Sequence, residues 1–171
     1  MLSTGDKTNK KSKGIIFNNM RITSPAFEHN QSIPITYTCD GENINPPLIF
    51  SDLPSGAQSL VLIMDDPDVP KNIRPDGMWD HWLVWDMPAR TTEILEGQSP
   101  PGIIGNNSGA KKGYAGPCPP DREHRYFFKL YALDIPTLNL DTTALKKEIE
   151  AAMEGHILAQ DELIGLYNRA R

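Results

Sequence analysis

The stretch Ser59-Leu60-Val61-Leu62-Ile63-Met64 is almost continuously apolar, and it decides the fold. A run of this length suits a strand that is buried on both faces better than an amphipathic helix, which needs roughly ten residues and a polar face. Strands with two buried faces lie inside a sheet and not at its edge. We therefore predict a central strand over residues 59–64, with the other elements arranged around it.

Short apolar or alternating segments predict four more strands, at residues 33–37, 48–50, 81–86 and 125–133. Alternation in the third of these defines two faces, with His81, Leu83 and Trp85 on one and Trp82, Val84 and Asp86 on the other. The chain also contains 15 prolines, and each removes a backbone hydrogen-bond donor. This composition argues against a helical bundle and indicates long loops.

Helical spacing appears only late in the chain. Leu145, Ile149 and Met153 recur every four residues, behind Asp141 or Thr142 as the capping residue. This pattern predicts one short amphipathic helix.

A second, weaker helix is predicted over residues 161–169, where apolar side chains surround Gly165. Several strands followed by one or two helices are typical of a mainly β fold. The fold class that we predict is an antiparallel β-sandwich with one or two short C-terminal helices.

Length and charge limit the class of protein. A chain of 171 residues suits one domain, which we assign to residues 15–171, with residues 1–14 as a disordered, lysine-rich tail. The net charge of −5 and the pI of about 5.3 argue against nucleic acid as a partner. The tail lacks the apolar run of a secretory signal or a transmembrane segment, so we expect a cytoplasmic protein.

The two cysteines, Cys39 and Cys118, are too few for a disulfide framework and lack the spacing of a zinc site. We predict that they are free thiols in a reducing compartment. A single bridge between them stays open as the alternative.

Residues 65–70, which read DDPDVP, form the first of three segments that concentrate polar and aromatic side chains. The two prolines restrict the backbone, so the acidic side chains should point in defined directions. Asp66 and Asp68 then serve either as binding groups or as caps that accept hydrogen bonds from nearby amides.

Residues 79–85, which read WDHWLVW, form the second segment. His81 stands at the start of a strand between tryptophans, where a histidine is more often a structural residue than a ligand contact. Trp82 and Trp85 are expected in the core.

Residues 113–126 form the third segment. In an extended backbone His124 and Tyr126 project to one face, while Arg125 projects to the other and is expected to form an ion pair with Asp66 or Asp68. Gly116 permits close backbone approach. The amide of Cys118 is a candidate donor to an oxyanion.

Taken in order, these segments resemble the phosphatidylethanolamine-binding protein family, and more narrowly its bacterial Raf-kinase-inhibitor-like branch. The matching motifs are DPDVP at 66–70, DHW at 80–82, GYAGPCPP at 113–120 and HRY at 124–126, supported by TYTCDGEN at 36–43 and PPL at 46–48. The similarity spans residues 15–168. It implies a β-sandwich of two antiparallel sheets with flanking helices.

The resemblance also implies a pocket at one end of the sandwich that binds phosphate, acetate or a phosphorylated head group. Carried over position by position, its wall should include Asp66, Pro70, Trp79, His81, Gly116, Cys118, Pro120, His124 and Tyr126. The chain departs from eukaryotic members at Asp121-Arg122-Glu123, where those members have a glycine-containing turn. This departure affects the rim of the pocket.

We therefore expect a small-anion or phosphoryl head-group binding protein, in which Tyr126, the Cys118 amide and one or two imidazoles donate hydrogen bonds. Asp66 would orient an imidazole or share a proton with the ligand, so that binding strengthens as the pH falls through about 6.5. The resemblance implies that such a protein acts as a regulatory inhibitor or interaction module for a kinase or protease, and as a homodimer.

The alternative function is a hydrolase in which Asp66, His81 and His124 act as general acid and base. The sequence shows neither a nucleophile elbow nor a glycine-rich phosphate loop followed by lysine. It also lacks the two-histidine spacing of zinc helices. We expect no catalysis, no cofactor and no metal.

Overall fold

The computed structural model describes residues 19–169. The predicted tail over residues 1–14 and the predicted start of the domain at residue 15 lie outside the described residues. Within this range the chain forms nine strands, one α-helix and one short 3₁₀-helix. None of the described helices is long and apolar enough to cross a membrane.

The strands form two sheets. A three-stranded sheet has the order β1-β3-β6, where β1 is Arg21–Thr23, β3 is Leu48–Ser51 and β6 is Glu93–Ile94. A six-stranded sheet has the order β2-β9-β8-β4-β5-β7, made of Gln31–Ser32 (β2), Ile157–Tyr167 (β9), His124–Leu133 (β8), Ser59–Asp66 (β4), Trp79–Pro88 (β5) and Ile103–Ile104 (β7). Among the described strands only β2 and β9 pair in parallel. The predicted β-sandwich class is confirmed.

Strand β4 occupies the predicted central position, between β8 and β5. Its inner residues Leu60, Leu62 and Met64 join a core that also contains Phe50 of the smaller sheet. Its other face packs through Ile63 toward the α-helix α1, Lys146–Met153. Burial on both faces therefore explains the continuous apolar run.

Strand β9 corrects the second predicted helix. Residues 161–169 do not form a helix, because residues up to Tyr167 pair antiparallel with β8, in a register that runs from His124 opposite Tyr167 to Leu133 opposite Ile157. Gly165 lies within this strand, and it leaves no room for a side chain, because a Cβ there would lie 2.4 Å from the Ile33 side chain. A long partner strand and a close neighbour override the weak helical pattern.

Two further local predictions are corrected. The segment predicted as a strand at 33–37 contains the 3₁₀-helix Ile35–Tyr37, which follows Pro34. Helix α1 is present, but the Leu145 amide donates to the Glu148 carboxylate at its start. Asp141, which we predicted as a cap, instead accepts hydrogen bonds from Thr143 in the preceding turn.

A candidate ligand-binding cavity

A cavity of about 390 Å³ lies where β4 ends and where β5 and β8 begin. Seven of the nine residues predicted for the pocket line it: Asp66, Trp79, His81, Gly116, Cys118, Pro120 and Tyr126. Five lining residues were not predicted: Cys39, Asn43, Val69, Ile73 and Ala115. The sheet register thus brings together segments that are far apart in sequence.

A β-bulge turns His81 into this cavity. Met64 pairs with Trp82, whereas the next residue, Asp65, pairs with Asp80, so His81 is an extra residue on β5. The bulge places His81 on the side of Trp82 and not, as predicted by simple alternation, on the side of Leu83. Its ring packs edge-on against Tyr126, with ring centroids 5.2 Å apart.

The hydrogen bond of His81 fixes its tautomer. Its Nδ1 lies 2.6 Å from the carbonyl oxygen of Ala115. A carbonyl oxygen only accepts, so Nδ1 carries the hydrogen. Burial lowers the pKa of His81, and the neutral ring therefore offers Nε2 as a hydrogen-bond acceptor. This arrangement differs from the expected role of His81 as a donor.

Asp66 is held from behind by His124. Asp66 Oδ1 accepts the amide of Asp68 at 2.8 Å, and Oδ2 accepts from His124 Nδ1 at 2.7 Å. The other ring nitrogen of His124 lies 2.7 Å from Asp121 Oδ1. Both contacts act as hydrogen bonds when the ring carries a proton on each nitrogen. Asp66 thus both caps its turn and pairs with an imidazole, as the two sequence interpretations proposed.

Two predicted wall residues lie elsewhere. His124 is fully buried behind Asp66 and does not line the cavity. Pro70 does not line it either, but its carbonyl oxygen accepts the amides of Ile73 at 2.9 Å and Arg74 at 3.0 Å. That turn places the Ile73 side chain on the wall. Both residues support the cavity indirectly.

Tyr126 contributes a buried phenol. Its hydroxyl has no hydrogen-bond partner of good geometry among residues 19–169. The Cys118 amide is close enough to lower the pKa of Tyr126, but burial and the Asp66 carboxylate outweigh it and raise that pKa well above 10. The phenol therefore keeps its proton and is available as a donor.

Cys39 and Cys118 form a disulfide, which corrects the prediction of free thiols. The bridge joins the chain after the 3₁₀-helix to the loop over residues 113–120, and both cysteines line the cavity. Sequence alone gives no information on which distant segments meet, so only the open alternative of a single bridge anticipated it.

Gly116 lies at the closest approach of the same two segments. A Cβ on Gly116 would lie 2.3 Å from the Tyr37 carbonyl oxygen. Its amide donates to Asn43 Oδ1 at 2.7 Å. The close approach that we predicted for Gly116 is therefore made to the protein backbone. Asn43 has φ of 58°, a conformation that asparagine tolerates, and this turn chemistry is the signal that could have identified it.

The predicted ion pair of Arg125 is present and involves Asp68. Arg125 Nη2 lies 2.9 Å from Asp68 Oδ1, and the Arg125 amide also donates to Asp68 Oδ2 at 2.9 Å. Arg125 lowers the pKa of Asp68. This pair lies outside the cavity, on the opposite face of β8 from Tyr126.

The walls above the polar floor are mostly apolar. Val69, Ile73 and Pro120 line them together with the disulfide, and the Arg74 guanidinium stacks over the Trp79 ring at 5.4 Å. The described residues contain no group of three or more His, Cys, Asp or Glu side chains placed to hold a metal ion. The geometry suits a small organic ligand with a polar head.

Comparison with known proteins gives consistent matches. The model of the family described as phosphatidylethanolamine-binding protein matches residues 23–168. A UPF0098 protein of Chlamydia pneumoniae is 47% identical over 88% of this chain and 100% of its own length, and one of Methanothermobacter thermautotrophicus is 46% identical over 88% and 99%.

Solved structures agree with this result. The crystal structure of the phosphatidylethanolamine-binding protein homologue CT736 from Chlamydia trachomatis has a TM-score of 0.86 and 44% identity, covering 90% of this chain and 99% of that one. The E. coli protein YbcL, described as a member of the mammalian family, has a TM-score of 0.80 and 25% identity, covering 88% and 99%.

Proposed function

This chain belongs to the phosphatidylethanolamine-binding protein family, and from that membership we propose that its cavity binds a small oxyanion, such as phosphate, acetate or a phosphorylated head group. The wall and floor of the cavity support this proposal. The polar groups sit at the bottom, and the apolar surface above them is suited to the organic part of a head group.

The observation that carries the proposal is the hydroxyl of Tyr126. It is buried at the cavity floor and has no good hydrogen-bond partner in the described part of the chain. A buried polar group without a partner costs about 1–3 kcal/mol. A ligand oxygen that accepts from this hydroxyl would recover that free energy, and a charged oxygen would accept most strongly.

Isothermal titration calorimetry with phosphate, phosphorylethanolamine and acetate tests the proposal. Tyr126→Phe should weaken binding by about tenfold or more, because one charge-assisted hydrogen bond contributes about 1.5–3 kcal/mol. Tyr131→Phe is the matched control, because Tyr131 lies on the same strand but packs on the other face of the sheet. Equal affinities for the wild type and Tyr126→Phe would contradict the proposal.

The hydrolase alternative is favoured by one observation, the acceptor nitrogen of His81 beside the Asp66 carboxylate. Such a nitrogen could act as a general base. Turnover of phosphoester or ester substrates that is abolished by His81→Ala, with folding intact, would establish it. We propose binding without turnover, since His124, the third group of this alternative, is buried behind Asp66 and does not line the cavity.

A role as inhibitor or interaction module for a kinase or protease, and assembly as a homodimer, stay proposals that rest on the family. A pull-down with the wild type and Tyr126→Phe distinguishes pocket-dependent partners from others. Sedimentation equilibrium of the purified protein measures the oligomeric state.

A further inference from the structure

We propose that the cavity selects oxyacid head groups that still carry a proton, and that His81 Nε2 accepts the hydrogen bond from the ligand's O–H group. The inference rests on the proposed function and specifies its ligand class. It concerns the ligand's protonation state, which the family's fold does not determine.

The first step is the orientation of the His81 ring. The Ala115 carbonyl oxygen accepts a hydrogen bond from His81 Nδ1, with 2.6 Å between the two atoms. In return, the Ala115 amide donates to the His81 carbonyl oxygen at 3.0 Å. This two-way contact holds the loop against the bulge in β5. The ring cannot offer Nδ1 to a ligand, so its Nε2 is the atom that remains for the cavity.

The second step is the excess of acceptors at the floor. Asp66 presents a carboxylate and neutral His81 presents a lone pair, whereas Tyr126 presents one donor. The neighbouring loop amides of Ala115 and Gly116 already donate within the protein, and the Cys118 amide is directed toward the Tyr126 hydroxyl oxygen. A fully deprotonated oxyanion would therefore meet two acceptors and few donors. A ligand O–H converts one of these repulsive contacts into a hydrogen bond.

The third step is that His81 stays neutral. Desolvation lowers its pKa and is the largest effect. Asp66 and Asp65 act in the opposite direction, and His124 acts in the same direction as desolvation. Tyr126, the remaining titratable neighbour, keeps its proton and adds no charge. The proton of the complex therefore resides on the ligand.

Methyl phosphate and methyl sulfate separate this mechanism from binding by a charged imidazole. At about pH 5 both carry close to one negative charge, since the second pKa of a phosphate monoester is about 6. They then differ mainly in the O–H group of methyl phosphate. A site that hydrogen-bonds an O–H rejects the analogue that lacks it, because the buried acceptor is left unpaired.

We expect methyl phosphate to bind at least about tenfold more tightly than methyl sulfate at pH 5. Above its second pKa, the affinity of methyl phosphate should fall by about tenfold per pH unit, as the monoanion disappears. His81→Phe keeps a ring of similar shape but lacks the acceptor nitrogen, so the preference for methyl phosphate should shrink, with the Asp66 carboxylate left as the acceptor at the floor. Calorimetry from pH 5 to pH 8 measures all three quantities.

Equal binding of the two ligands at pH 5 would overturn the inference, because it would show that the site does not recognise the O–H group of the ligand. Binding of neither ligand, nor of acetate or phosphorylethanolamine, would instead reject the proposed function itself. If His81→Phe does not fold, the comparison of the two ligands on the wild type still decides between these outcomes.

Discussion

Asp66 Oδ2 lies 2.7 Å from His124 Nδ1, and their side chains are only 4% and 0% exposed. The imidazole thus holds the carboxylate at the cavity floor without reaching the cavity itself. The far side of the ring is closed by Asp121, which belongs to the segment where the chain departs from the eukaryotic members of the family. In this chain the segment thus supplies a second carboxylate to the histidine.

Asp121→Asn should weaken this support in a pH-dependent way. The hydrogen bond from His124 lowers the pKa of Asp121 in the folded protein. A lowered folded-state pKa adds stability above the unfolded value of about 3.9, and this stability is lost as the pH falls through the folded value. The difference in Tm between the wild type and the variant should therefore be present near pH 7 and shrink as the pH falls below about 3.9.

Thermal unfolding followed by circular dichroism across this range checks the expectation. Glu123→Gln is the control, because its carboxylate is exposed and has no ion pair among residues 19–169. A difference in Tm that is constant from pH 3 to pH 7 would contradict the role assigned to Asp121.

Gly116→Ala should damage both stability and binding. The added methyl would lie 2.3 Å from the Tyr37 carbonyl oxygen and 2.9 Å from Thr38 Cα, and backbone atoms cannot move aside without shifting the loops that form the wall. We expect a loss of about 1–3 kcal/mol in the free energy of unfolding, measured by urea denaturation, together with weaker phosphate binding.

The matched control is Gly56→Ala, where a Cβ would meet only the flexible Leu158 side chain at 3.6 Å. Its free energy of unfolding should stay within about 0.5 kcal/mol of the wild type. Similar effects of the two substitutions on the free energy of unfolding would show that the loops around residue 116 accommodate a methyl group, and would contradict this prediction.

Removal of the Cys39–Cys118 bridge should destabilise the fold. The cysteines are 79 residues apart, so the bridge closes a long loop in the unfolded chain. Loss of such a bridge costs about 2–5 kcal/mol. Denaturation of the wild type with and without a dithiol reductant measures this loss, and the reductant should have no effect on the double variant Cys39→Ser/Cys118→Ser.

The same bridge bears on localisation. Disulfides are rare in a reducing cytoplasm, so the bridge argues against the compartment that we predicted from the sequence. Alkylation of the protein in freshly lysed cells, followed by mass spectrometry, reports the state of the cysteines. Two alkylated thiols would show that the bridge is open in the cell.

Arg125→Ala should have little effect on the free energy of unfolding, although the sequence predicted an ion pair for this residue. The Arg125 side chain is 54% exposed, and exposed ion pairs contribute only about 0.2–1 kcal/mol. Asp68 would also keep the hydrogen bond from the backbone amide of residue 125. A loss of more than about 2 kcal/mol in urea denaturation would mean that this pair has a larger structural role.

Sequence patterns predicted the elements whose burial is set locally. The apolar run at 59–64 identified the central strand, and alternation correctly placed His124 and Tyr126 on one face of β8. Alternation failed at His81, because a bulge depends on the pairing between two strands and not on the residues of one strand. It failed for β9 for a similar reason, because the partner strand β8 decides its structure.

The resemblance to the family identified most of the cavity wall, but not how its groups are connected. The disulfide, the Ala115 contact of His81 and the Asp121 contact of His124 all join segments through the tertiary structure. Motif matching gives the residue types at these positions. The direction of each hydrogen bond, and hence which group donates and which accepts, requires coordinates.

The position of β9 has a consequence for synthesis on the ribosome. Its two neighbours in the sheet, β2 and β8, are both translated before it, yet β9 lies between them. Until residue 167 leaves the exit tunnel, β8 presents a long unpaired edge to other nascent chains and to chaperones. Closure of the larger sheet is therefore a late event in the biogenesis of this protein, and the cavity, whose floor includes the first residues of β8, is completed with it.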